Sequence, residues 1–196
     1  MHVVDLDHAA STPLLPEAWE AMRPYALERA GNPASSHRLG RAARQGLEES
    51  RERIAVCLNA EPGEVVFTSG ATEANNLALR GLADAGSILV SPIEHPCVLE
   101  PIAKLGRTIV PLPVDSTGGA VLPAELPMDL GLATLMLVNH ETGAIQPLQD
   151  LVRRLAGRTP IHCDAAAAIG KIDVSFPALG VTTLTASAHK FHGPKG

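Results

Sequence analysis

Lys190 stands in Ser187-Ala188-His189-Lys190-Phe191-His192-Gly193-Pro194-Lys195, after an apolar, β-rich run and just ahead of a Gly-Pro pair. An amine held rigidly and kept partly dry suits Schiff-base formation with an aldehyde. By itself such a lysine is ordinary, because most lysines are merely solvated. Three distant residues give it weight. Asp164 ends the apolar run Ile161-His162-Cys163-Asp164, where an acid is costly unless paired. Against a pyridine nitrogen it would keep that nitrogen protonated, so that the ring accepts electrons from a carbanion; the alternative is a cap for the next turn. His95, in Ile93-Glu94-His95-Pro96, offers a ring that stacks on a flat cofactor and titrates near neutral pH, or else a helix cap. Ser69-Gly70-Ala71-Thr72-Glu73 links a strand to a helix, so the first helical amides and the Thr72 hydroxyl suit a phosphate. The alternative there is a plain turn capped by Ser69 or Thr72. The Gly-Lys-Ser/Thr ending of a P-loop is missing. Amine, acid, imidazole and phosphate cradle together are what pyridoxal phosphate (PLP) requires.

Competing chemistries fit less well. His189 and His192, with His162, Cys163 and Asp164, match no zinc spacing, and no metal is expected. Cys57, Cys97 and Cys163 make no disulfide framework and read as packing residues, with Cys97 the most exposed of the three.

The elements that must position these groups alternate. Strands are expected at 64–68, 87–91, 108–114, 133–139, 160–163 and 182–187, and helices at 14–29, 38–58, 71–82, 96–105 and 147–156. That order predicts an α/β fold, a mainly parallel sheet with helices on both faces. Ligands bind beyond the carboxyl ends of such strands, and Ser69 to Thr72, His95, Asn139 with His140, Asp164, and His189 with Lys190 all fall there. Leu39, Ala43, Leu47, Ile54 and Leu58 share one face of the second helix, a core stripe, and Glu49 precedes Arg53 by one turn. Residues 32–36 form a turn and the N-cap region of that helix.

With 196 residues, 45% of them hydrophobic and 19% charged, the chain can bury a substantial core, which argues against disorder. Aromatics are only 3%, so Ala, Val, Leu and Ile must fill it. A net charge of −5 gives no reason to expect nucleic acid, and no apolar run is long enough to span a membrane. The first residues lack a signal-peptide pattern, and a cytoplasmic location is expected.

In order along the whole chain, these segments resemble the cysteine desulfurase family, of the class V aminotransferase group of fold type I PLP enzymes. Leu6-Asp7-His8-Ala9-Ala10-Ser11-Thr12-Pro13 and Gly31-Asn32-Pro33-Ala34-Ser35-Ser36-His37 are similar to its opening loops. Phe67 to Glu73 is similar to its phosphate loop and Glu94-His95 to its stacking histidine. Asn139 to Gly143, His162 to Ala165 and Ser187 to Lys190 follow in the family order. Gly193-Pro194-Lys195-Gly196 is similar to the branch serving iron–sulfur assembly and nitrogen fixation.

The resemblance implies that Lys190 holds PLP, that Asp164 pairs with the ring nitrogen and that His95 stacks on the ring. Ala71, Thr72, Ser187 and His189 would bind the phosphate. Lys190 and His95 would share the proton transfers as L-cysteine becomes L-alanine and its sulfur passes to a protein thiol as a persulfide. A homodimer and a sulfur-acceptor protein are implied in the same way. Other class V activities (an aminotransferase, a selenocysteine lyase) stay open, as does a non-catalytic remnant or partner subunit. His140 stands where the family has Asn, near the ring hydroxyl, and Ala167 where it has Gln. The resemblance also predicts an N-terminal arm over 1–13 and a partial PLP-binding large domain over 14–196. The family's small C-terminal domain, its sulfur-accepting cysteine loop and its carboxylate-binding arginine would lie beyond position 196. So would the strand that pairs with 64–68. The expectation is therefore a fragment, or one half of a protein completed in trans, with 64–68 left unanchored.

Overall fold

The computed structural model describes residues 4–195; the first three residues of the expected arm lie outside them. Five strands form one parallel sheet in the order β2-β1-β3-β4-β5, where β1 is Ser87–Val90, β2 Ile109–Pro111, β3 Leu130–Thr134, β4 Ile161–Asp164 and β5 Thr183–Thr185. The helices are α1 (Pro16–Leu27), α2 (Arg38–Leu58), α3 (Ala71–Leu82), α4 (Pro96–Lys104), α5 (Leu148–Leu155) and the single turn α6 (Phe176–Leu179).

Side-chain alternation along the strands divides the core into two layers. From β1, Ile88 and Val90 meet Leu79 of α3 and Val98 and Ile102 of α4. Leu89 points the other way and joins Ile161 and Cys163 of β4 with Leu148, Leu151 and Leu155 of α5. These three leucines fall on one helical stripe, and all are fully buried. Helices therefore cover both faces, as the sequence predicts, and α3 rests on β4 and β5.

Five expectations change. Residues 65–68 form no strand; after a 3-10 turn at Pro62–Glu64 they run on unpaired, with Val66 69% exposed. The third sheet strand in sequence ends at Thr134, within the expected 133–139 segment, although the Leu135 and Leu137 amides still donate to the His162 and Asp164 carbonyls at 3.2 and 3.0 Å before the chain turns through a hairpin bridge, Val138 to Ile145. The expected stripe on α2 is not a core face: only Gly40, Gly46 and Ala55 are buried, and Ile54 and Leu39 stay exposed. Glu49 accepts from Gln45 at 2.8 Å rather than pairing with Arg53. The N-cap of α2 is His37, just past the predicted 32–36 turn; its Nδ1 accepts from the Gly40 amide at 3.3 Å.

Candidate active site

The carboxyl ends of β4, β5 and β1 carry the predicted groups to one place. Asp164 is the last residue of β4 and is 6% exposed. Its Oδ1 accepts from the Ala166 amide at 2.9 Å and its Oδ2 from Asn75 Nδ2 at 2.8 Å. It thus caps the following turn and still has lone pairs left for a ligand. Lys190 closes a 3-10 turn, Ala188–Lys190, that begins just beyond β5.

His95 follows β1. Its Nδ1 accepts from the Cys97 amide at 3.1 Å and so caps α4, which leaves the neutral ring's proton on Nε2. The ring lies edge-on to His140, with centroids 5.2 Å apart. The His95 pKa is lowered, first by burial, then by the nearby positive partners His140 and Lys190, while the charge of Asp164 opposes the shift. His140, Lys190 and Asp164 therefore all lie near enough to His95 to act on it electrostatically.

His140 is held by its neighbour. Asn139 Oδ1 accepts from the Glu141 amide at 3.0 Å and the Thr142 amide at 2.9 Å, while its Nδ2 donates to the Ile93 carbonyl at 3.2 Å. His140 Nδ1 is buried and has no partner.

At the head of α3 the N-cap is Gly70, not Ser69 or Thr72, and no side chain caps the helix. Gly70 has φ +155°, a conformation that only glycine takes readily, and open space surrounds the position a Cβ would occupy. Glu73 folds back onto Ser69, accepting from its amide and its hydroxyl at 2.6 Å each, and these bonds hold the Glu73 pKa below its usual value. Ala71 and the exposed Thr72 thus stand at an uncapped helix start. Ser187, buried, contacts His189 through Oγ and Nδ1 at 3.3 Å.

Sequence reasoning gave Asn75 and Glu94 no role and weighed His162 only as a metal ligand. Asn75 and His162 are fully buried beside Asp164, with His162 Nε2 2.9 Å from Asn75 Oδ1. Their signal was present: His162 and Asp164, two apart in a strand, face the same side. Glu94, 3% exposed, has its pKa raised to about 8, chiefly by burial and then by the charge of Asp164. A glutamate beside a strand end in an apolar run was visible but unassigned.

Of the cysteines, Cys57 is exposed, Cys97 half-buried and Cys163 buried, so Cys57 is no packing residue and Cys97 is not the most exposed. The open face of α2 explains this. Burial pushes the Cys97 and Cys163 thiols up. Among the described residues no group of three or more His, Cys, Asp or Glu side chains is placed to hold a metal ion.

A titratable cluster at the carboxyl edge of a parallel sheet lies where α/β proteins bind small molecules, which makes it the candidate site. The chain belongs to the class V aminotransferase family, whose profile, described as Aminotransferase class-V, matches residues 4–196. It is 45% identical to a cysteine desulfurase IscS of Dictyoglomus turgidum, the match covering 98% of this chain and 52% of that protein. To cysteine desulfurase IscS 1 of Archaeoglobus fulgidus it is 39% identical over 97% of this chain and 53% of the relative. The chain thus spans about half the length of the curated relatives it matches. Among solved structures, a NifS-like protein superposes with a TM-score of 0.93 at 37% identity, over 97% of this chain and 56% of that one. SspA in complex with cysteine superposes with a TM-score of 0.91 at 34% identity, over 99% and 59%. The fold is that of the NifS-like, fold type I PLP enzymes, and the family is PLP-dependent.

Proposed function

We propose that the chain carries the cofactor-binding part of a PLP-dependent cysteine desulfurase. The observation that carries this reading is the meeting of Asp164, His95 and Lys190 at or just past the carboxyl ends of β4, β1 and β5, with the His140 ring 5.2 Å from that of His95. The donor set suits the cofactor: a carboxylate with spare lone pairs, an unpartnered buried imidazole nitrogen on His140, and an uncapped helix start.

Lys190 would hold PLP through its amine, and Asp164 would face the ring nitrogen. The His95 ring would lie against the cofactor. Ala71 and Thr72 at the head of α3, with Ser187 and His189, would take the phosphate. His140 would reach the ring hydroxyl with Nδ1. Once bound, PLP supplies an electron sink for a substrate carbanion. His95, kept neutral with Nδ1 tied to the Cys97 amide, would offer its Nε2 edge to the reacting groups, and it would share the proton transfers with the Lys190 amine. The substrate class is L-cysteine: its C–S bond breaks, the sulfur passes to a protein thiol as a persulfide, and L-alanine leaves. The relatives named cysteine desulfurase and the neighbour solved with cysteine support that choice.

The same reading takes residues 1–13 as an arm and 14–196 as part of the large domain, working in the cytoplasm as a homodimer with a sulfur-acceptor protein. No helix among the described residues is long and apolar enough to cross a membrane. None of the residues of α1 is buried, and Leu15, Trp19, Met22 and Leu27 are exposed around it, which suits a subunit contact. The test is to add PLP to the purified chain. A visible band that borohydride fixes on Lys190 and that Lys190→Ala abolishes supports the reading; release of alanine and sulfide from cysteine separates desulfurase from transaminase. No band, alone or with the remainder of a full-length relative supplied, overturns it.

A further inference from the structure

The polar side chains buried most deeply beside Asp164 form a chain with a direction. His162 Nε2 faces Asn75 Oδ1 at 2.9 Å, and His162 Nδ1 faces Thr183 Oγ1 at 2.9 Å. Asn75 Nδ2 reaches Asp164 Oδ2 at 2.8 Å and Cys97 Sγ at 3.1 Å. An amide oxygen only accepts, so His162 Nε2 must carry the proton. The Nδ1 of a neutral ring is then bare and accepts from the Thr183 hydroxyl. Turning the Asn75 amide over would set its oxygen against the Asp164 carboxylate and its NH2 against an N–H. Every donor therefore points one way, from Thr183 to His162 to Asn75 to Asp164.

The chain crosses three elements, β5, β4 and α3, and Asn75 and His162 are both sealed from water. Burial lowers the His162 pKa to about 4, so the ring stays neutral and keeps its single donor on Nε2. With Oδ1 tied to the Ala166 amide and Oδ2 to Asn75, the plane of the carboxylate is fixed at both ends. A buried network of this kind holds only while every member is satisfied.

We propose that Asn75 and His162 are positioning residues for Asp164: the one-way chain from Thr183 sets the plane of its carboxylate and aims the remaining lone pairs at the ring nitrogen of the cofactor. This rests on the PLP reading. The test uses the whole chain, nitrogen-15 NMR of the histidine rings, and PLP labelled at the ring nitrogen. Without cofactor, His162 shows the Nε2–H tautomer alone across neutral pH, and Asn75→Leu yields a mixture. With cofactor, Asn75→Leu and His162→Phe lower the proton affinity of the ring nitrogen about ten-fold or more, the loss of one hydrogen bond to a charged group. His162→Gln, which keeps a donor toward Asn75, restores most of it, and a purely structural role would not predict that rescue. If Asn75→Leu fails to fold, Thr183→Val, which removes only the head of the chain, is expected to keep the Nε2–H tautomer, because Asn75 Oδ1 still needs a donor, while the Nδ1 resonance moves as it loses the Thr183 hydrogen bond. A proton on Nδ1 of His162, or a ring nitrogen indifferent to Asn75→Leu, overturns the proposal. Failure of the native chain to bind PLP instead defeats the cofactor reading, and with it the aim proposed for Asp164, while the tautomer result still decides whether the chain of hydrogen bonds exists.

Discussion

The Thr12 hydroxyl donates to the His189 carbonyl at 2.9 Å and accepts from the His192 amide at 2.6 Å, so a residue near the start of the chain brackets Lys190 from both sides. The Thr12 amide adds a bond to the same carbonyl at 2.7 Å, and the Leu15 amide donates to the His192 carbonyl at 3.1 Å. His192 needs this support. Its φ of 67° is left-handed, a conformation that costs a non-glycine residue on the order of 1 kcal/mol or more. The opening segment is thus a clamp on the lysine turn.

Thr12→Val keeps the shape and the amide bond but orphans the His192 N–H. The expected cost is about 1–3 kcal/mol of local stability. Amide exchange at 189–192 should quicken and PLP uptake on Lys190 should slow, while Thr12→Ser preserves both. Unchanged exchange in the valine variant would mean that the clamp is dispensable.

Asp164→Ala should separate turnover from binding. It removes the group that would keep the ring nitrogen charged and leaves the proposed phosphate cradle at the head of α3 in place. In the complete enzyme, turnover is expected to fall about a hundred-fold or more, with cofactor retention falling far less. Equal loss of both, measured by steady-state rates and by PLP titration, would contradict that role.

His162 makes stability depend on acid. Its pKa is about 4 in the fold, lowered by burial against the weak opposing charge of Asp164, and 6.5 when unfolded. The unfolded chain therefore binds the extra proton first as pH falls. Stability is fully present above 6.5, declines as pH drops toward about 4 and levels off below, a loss on the order of 3 kcal/mol. Urea titrations across this range should show the decline, and His162→Gln should flatten it.

The sheet, and the gathering of titratable groups at its carboxyl edge, were legible because periodicity and chemistry agreed. Leu148, Leu151 and Leu155 mark α5, and Asp164 at an apolar strand end marks the proposed site. The α2 stripe misled for a physical reason: periodicity shows which face is apolar but not whether anything covers it. Residues 65–68 read as a strand because Val65, Val66 and Phe67 favour one, yet strand formation needs a partner, and no described residue pairs with them. Asn75 was hidden for another reason. An asparagine inside a helix looks like surface until the fold places Asp164 and His162 against it.

Glu94 should give a pH dependence of the opposite sign. Its Oε1 lies 3.5 Å from Thr134 Oγ1, while Oε2 is buried without a partner. Burial and then the charge of Asp164 raise its pKa from 4.5 to about 8, so the folded chain holds this carboxyl protonated after the unfolded chain has released it. Its contribution is complete below 4.5 and is lost as pH rises through about 8, on the order of 3–5 kcal/mol. Glu94→Gln keeps the acceptor, replaces the orphan oxygen with an NH2 and cannot ionise. The variant should match the native chain near pH 4.5, where both side chains are neutral, and exceed it in thermal stability at pH 8. Equal melting temperatures at both values would show that Glu94 ionises without hindrance and that water or a cation reaches it.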